Sequence, residues 1–283
     1  LLLNGAGSYT LDGTNNNVAT LAASGTGALT YVDSNALTIG TVGSTNGIFG
    51  TGPINVATLT GDLTLAQNVA TTNATSSAIT LNAGHSAAAG TATGGNIVVS
   101  GSPTISTGAG GRATLYSGSA TGNTSLAALI GSGSGRFRYN SDEATANYTA
   151  VLGAGNYAIY RQSINTALVT GSGNITYGDS YTLGMVSSGL VNGDSAVLGV
   201  TGQYSGANRL NAGSYAVNVN NIAALIALGY TNAGNSNGTL VVAQKALTIG
   251  GITAGDKVYD RTKDAVLNRE NAVFDGVIEH DDV

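Results

Sequence analysis

With 283 residues, the chain has room for one large domain or two to three ordinary ones. Charged residues make up only 9%, against about 25% in an average soluble domain, while 42% is hydrophobic, which excludes a disordered tail. A net charge of −5 with no Lys/Arg-rich block argues against nucleic acid as a partner, and 43 glycines with 2 prolines and no three-residue period exclude collagen.

The opening "LLLNGAGSYTLDG" reads as strand and turn, without the basic region or cleavage site of a signal peptide. Together with an ending, "FDGVIEHDDV", that has no closing feature, it leads us to expect an internal segment of a longer protein. No apolar run reaches the ~18 residues of a transmembrane helix. There is no cysteine, as suits export in an unfolded state through a narrow pore.

From 17 to 117 short apolar runs return at a near-constant interval: "NNVATLAA", "NALTIGTV", "INVATLT", "AITLNAG", "NIVVSG" and "RATLYSG". Apolar and small polar residues alternate within them, the period of a half-buried strand, and Gly, Asn, Ser and Thr clusters supply the turns between. Val18, Leu37 and Val56 are 19 apart, and Ile79, Ile97 and Leu115 are 18 apart. This spacing predicts coils of 18–20 residues in which all six face inward and stack. The predicted architecture for 1–164 is a right-handed parallel β-helix, with an array of stacked β-sandwiches as the competitor. "SLAALI" (125–130) and "NIAALIAL" (221–228) are the only stretches with a helical alternative.

The first basic residue is Arg112, and the region 131–164 then collects Arg136, Arg138 and Arg161 with Tyr139, Tyr148, Tyr157 and Tyr160. Two readings fit. Arg136, Arg138, Tyr139, Tyr148, Tyr157 and Tyr160 would form a carbohydrate surface, rings stacking on sugars and guanidinium forks bonding hydroxyls. The alternative, which we favour, is a terminal cover for the coil stack, with Phe137 and the tyrosines over its end and Asp142 and Glu143 partnering the arginines.

Residues 165–249 carry compact strand patterns without the repeat, predicting a small β-domain of sandwich or β-grasp type. Residues 250–283 hold 12 of the 25 charged side chains and predict the start of a further domain.

Catalytic groups are scarce. His85 and His280 are the only histidines, and His85 reads as a solvated turn. The G-x-G pairs never extend to G-x-G-x-x-G and no Gly precedes a Lys, so no phosphate loop is predicted. Asp12, Asp33 and Asp62 are the only charges before Arg112 and read as corner residues making Asx-turns. Asp275, Glu279, Asp281 and Asp282 lack the alternating pattern of a Ca²⁺ loop and read as acidic surface. The expectation is a non-enzymatic chain without metal or organic cofactor.

"AITLNAGHSAAAGTATGGNIVVSG", "GAGGRATLYSGSATG" and "GSGSGRFRYNSDE" resemble the β-helical repeats of filamentous-haemagglutinin-like exoproteins, the large bacterial adhesins of two-partner secretion. "ITYGD", "GLVNGDSAV", "NAGSYAV" and "NGTLVV" resemble the MBG domain found in such adhesins. "KALTIGGITAGDKVYDRTKDAVL" resembles the start of a YDG domain, with Arg261 where that family has its glycine. The resemblance implies a secreted protein of the bacterial surface or extracellular matrix that engages an outer-membrane transporter during export. It implies adhesion or biofilm attachment to cell-surface or matrix polysaccharide. Self-association into an extracellular filament is the first alternative, and a β-helical polysaccharide-active enzyme the second.

Overall fold

The computed structural model describes residues 1–281. Strand accounts for 39% of the chain and helix for 5%, which makes it an all-β protein. Its residues fall into two compact units.

The first unit comprises Leu1–Ala167, Ser188–Ala196 and Asn221–Asn235. One of its sheets has seven strands in the spatial order Phe137–Arg138, Gly155–Tyr160, Arg112–Ser117, Ile79–Ala83, Ile54–Thr58, Leu29–Asp33, Tyr9–Leu11. All of these pairings are parallel. Strand Thr20–Thr26 joins two further parallel sets: Leu37–Ile39, Leu63–Leu65 and Ile97–Val99 on one side, and Leu2–Asn4, Ile48–Gly50, Val69–Thr71 and Ile105–Ser106 on the other. From Leu29 to Ser117 the chain visits the three sets in turn and returns to the first one strand further along. The antiparallel pairing of Thr41–Val42 with Thr45–Asn46 is a small excursion from this path.

Register partners on the seven-stranded sheet align Leu11, Tyr31, Val56, Leu81, Leu115 and Ala158 in one row. Tyr31, Val56, Leu81, Leu115 and Ala158 are buried. Leu37, Leu63 and Ile97 form the corresponding buried row on the second set. Each row sets one apolar side chain on the next at the ~4.8 Å strand spacing, so every strand adds to the core of its neighbours.

The predicted repeat length is corrected. Leu29, Ile54 and Ile79 are successive partners 25 residues apart, and Ala113 follows 34 residues later. The 18–19 residue spacing links strands of different sheets: Leu37 and Ile97 belong to one, Val56, Ile79 and Leu115 to another. Leu37, Val56, Ile79, Ile97 and Leu115 are buried as expected, whereas Val18 lies outside any strand and is partly exposed.

Short turns carry the chain between sheets, and some admit only glycine. Gly47 has φ +69°, and a Cβ placed there would lie 2.1 Å from the carbonyl oxygen of Asn68 in the next turn. Buried Thr58 ties two turns together, donating to Gly61 O at 2.8 Å and accepting from Gly84 N at 3.0 Å. "SLAALI" is helical: helix Thr124–Ile130, capped by the Asn123 side chain, buries Leu126, Ala127 and Ile130. "NIAALIAL" contains helix Ile222–Ala227.

The second unit comprises Leu168–Ser187, Val197–Asn220 and the chain from Ser236 onward. It holds a four-stranded sheet in the order Gly173–Thr176, Thr239–Ala243, Gly213–Val219, Leu198–Val200, with a core of Leu210, Val217, Leu240 and Val242. These compact units do not follow the predicted division at 164 and 249. Residues 188–196 and 221–235 belong with the first unit, and residues from 250 cluster with the second. From 248 onward the strand pairs Thr248–Gly250 with Val273–Asp275 and Thr253–Ala254 with Leu267–Asn268 are exposed at every position.

Candidate functional site

The region 131–164 gathers its arginines and tyrosines as predicted, but not on a surface. Tyr139 and Tyr160 are fully buried, and Arg138 and Tyr157 nearly so, while Arg136 and Tyr148 are half-exposed. The proposed sugar-binding use of Arg138, Tyr139, Tyr157 and Tyr160 is corrected on that ground: their faces are occupied by protein. The Tyr160 ring stacks on Phe137 at 6.3 Å and on Tyr139 at 5.9 Å, and Tyr139 meets Tyr230 at 4.4 Å. This stack occupies the strand pair Phe137–Arg138 and Gly155–Tyr160 that ends the seven-stranded sheet. Burial on this scale is what the covering reading requires.

The arginines also find different partners from those expected. Arg136 donates to Ala154 O at 2.8 Å and lies 5.2 Å from the Tyr157 ring. Arg138 donates to the carbonyls of Gly135, Phe137, Ala150 and Val151 and lies against Tyr148 and Tyr157. At Arg136 and Arg138 backbone carbonyls thus take the place predicted for Asp142 and Glu143, whereas both carboxylates act electrostatically on buried Arg161. Glu143 instead pairs with His85 at 3.4 Å, and Asp142 accepts from the N–H groups of Ala89, Ala144 and Thr145. Burial works to raise the Asp142 carboxyl, but those N–H donors outweigh it and hold it below the usual range. His85 is a half-exposed turn residue with a carboxylate partner.

Two features were hidden in the sequence. Asp194 lies in a stretch predicted to belong to another domain, yet its Oδ2 accepts from Tyr139 Oη at 2.7 Å and Tyr230 Oη at 2.8 Å. Burial pushes its carboxyl up, against the pull of both hydroxyls and of Arg138. Arg161 is fully buried and donates to Gly95 O at 2.8 Å. No periodic pattern marks either contact, since both join residues far apart in the chain.

Asp33 is a buried corner residue. Its Oδ1 accepts from Asn35 N at 3.1 Å, the Asx-turn expected, and its Oδ2 accepts from Val18 N at 2.9 Å and Tyr31 Oη at 2.8 Å. Asp62 accepts from Asn96 N at 2.8 Å and Asp12 is exposed. Among the described residues no group of three or more His, Asp or Glu side chains is placed to hold a metal ion, and Asp282 lies outside those residues. Among the same residues no helix is long and apolar enough to cross a membrane.

The polar row of the seven-stranded sheet aligns Thr10, Thr30, Asn55, Thr80 and Thr114 in register. The first four are exposed or half-exposed, and Thr114 is buried. Residues 150–153 are fastened by bonds from Arg112 to Leu152 O, from Arg138 to Ala150 O and Val151 O, and from Gly153 N to Tyr157 Oη. The open part of the row offers hydroxyls and an amide with no charge. Compared with family models, curated proteins and solved structures, the chain matches none.

Proposed function

We propose that the chain is a segment of a secreted bacterial surface protein that attaches to cell-surface or matrix polysaccharide without catalysis. In this reading the first unit is a right-handed parallel β-helix acting as a stiff rod, and the second displays small β-domains of the MBG and YDG kind. The observation that carries the reading is the in-register row Thr10, Thr30, Asn55, Thr80 beside the buried row Tyr31, Val56, Leu81, Leu115. A rigid array of uncharged hydrogen-bonding groups suits many weak, equivalent contacts to a polymer, whose strengths accumulate along a long molecule. Sparse charge and scattered Asp12, Asp33 and Asp62 favour a scaffold over an acid–base catalyst. Export through an outer-membrane transporter follows from the resemblance and is part of the same proposal.

The test is binding of the purified chain to cells and to immobilised polysaccharides, with electron microscopy of the same sample. Retention by discrete rods supports attachment by single molecules. Regular lateral or end-to-end polymers without retention would favour the filament reading, and depolymerisation of the polysaccharide would favour the enzyme.

A further inference from the structure

The second unit contains a cleft of about 270 Å³ whose walls include Asp179, Tyr181, Tyr204 and Arg209. Tyr181 is packed against the core formed by Leu210, Val217, Leu240 and Val242, so its ring is fixed by the fold. Tyr204 lines the same cleft and is 48% exposed, which leaves part of its ring open to solvent. Two tight turns present the charged groups. Asp179 N donates to Thr176 O, and Thr176 N returns a bond to Asp179 Oδ2 at 3.0 Å. Asn208, at φ +56°, closes the loop between Tyr204 and Leu210, in which Ser205 N donates to Arg209 O. Among the described residues Asp179 Oδ1 has no hydrogen-bond partner, and Arg209 forms no salt bridge, although its charge acts on Asp281.

A cleft of this size lies at the small end for ligand sites and suits one ring rather than a peptide. Tyrosine faces offer an apolar wall with polar tips, complementary to a pyranose, which has a C–H face and a hydroxyl rim. A carboxylate that only accepts and a guanidinium that only donates match a pair of hydroxyls, each of which does both. The cleft thus carries one acidic and one basic side chain, and Arg209 also acts electrostatically on Asp281, so no excess positive charge favours an anion. We propose that this cleft binds a single neutral hexopyranose unit of a polysaccharide, with Tyr181 and Tyr204 along the ring and Asp179 and Arg209 on its hydroxyls. This rests on the attachment reading above and moves the sugar contact away from the buried residues of 131–164.

The experiment titrates the full chain with methyl glucoside, methyl galactoside, methyl mannoside and, for comparison, glucuronate, following backbone amide resonances. In parallel it measures retention on immobilised dextran, galactan and mannan. Shifts centred on residues 178–181 and 204–210 with a neutral sugar are expected. Tyr204→Ala and Arg209→Gln should each weaken that binding by about 10-fold, as loss of one stacking ring or one charged hydrogen bond would. Both side chains are exposed, and an unchanged amide spectrum elsewhere verifies folding of the variants. Retention on polysaccharide that neither substitution alters would overturn the cleft and leave the attachment reading standing. Absence of both shifts and retention would overturn both. Shifts with glucuronate alone would overturn the neutral-sugar assignment.

Discussion

Tyr139 and Asp194, 55 positions apart, share a 2.7 Å hydrogen bond that Tyr230 completes from the other side of the same carboxylate oxygen. Burial raises the Asp194 carboxyl above its unfolded value. A group whose folded pKa is raised contributes stability that is fully present below the unfolded value, about 3.9, and is lost as pH rises through the folded value. Unit one should therefore be less stable at neutral than at mildly acidic pH on account of this residue. Asp194→Asn keeps an acceptor for the hydroxyls and cannot ionise. Thermal unfolding of both proteins from about pH 4 to about pH 8 should show the variant gaining on the parent as pH rises. A difference that stays constant, or runs the other way, would refute the assignment.

Burial separates Ile97 from Val18, two residues that the sequence spacing treats alike. Ile97→Asp places a carboxylate in the closed row with Leu37 and Leu63 and should cost about 3 kcal/mol or more. Val18→Asp, at a partly exposed position outside any strand, should cost under about 1 kcal/mol. Denaturant midpoints of the two variants measure the contrast, and equal losses would contradict the register.

Asp33→Asn is a conservative change at an ordinary turn, but here the carboxylate accepts from Val18 N, Tyr31 Oη and Asn35 N while fully buried. An amide must set its NH₂ against at least one of these donors. The expected loss is about 1–3 kcal/mol, read by chemical denaturation, and a neutral result would show that the corner relaxes.

Gly47→Ala and Gly43→Ala test the close stacking of turns. Both glycines have positive φ, so each substitution should cost about 1 kcal/mol from backbone strain. Only at Gly47 does the added carbon meet a neighbour, the carbonyl of Asn68, whereas Gly43 faces open space. Gly47→Ala should consequently be the more destabilising by at least about 1 kcal/mol in the same assay.

Strand content and burial were legible because a half-buried strand writes an alternation that survives in one line of sequence. Five of six predicted inward residues, from Leu37 to Leu115, are buried for that reason. Repeat length was not legible, because strands on three sets share one pattern and nothing in "NALTIGTV" or "INVATLT" states which sheet each joins. Short runs such as Leu63–Leu65 and Val69–Thr71, the true partners of Leu37–Ile39 and Ile48–Gly50, were too brief to register. The 131–164 cluster was visible as composition, yet its burial depends on Asp194 and Tyr230, contributed by chain segments that periodicity assigns elsewhere. The cleft of Asp179, Tyr181, Tyr204 and Arg209 comes from two turns and leaves no motif at all.

Attachment by many weak uncharged contacts is tested most directly by residence time on a matrix polysaccharide surface for one, two and four tandem copies of the chain. Each doubling should lengthen residence by about 10-fold or more where the copies engage together. Raising salt from about 0.05 M to about 0.5 M should change it by less than about 3-fold, because 9% charged residues leave little for ions to screen. Residence that does not grow with copy number, or that collapses in the higher salt, would contradict the account.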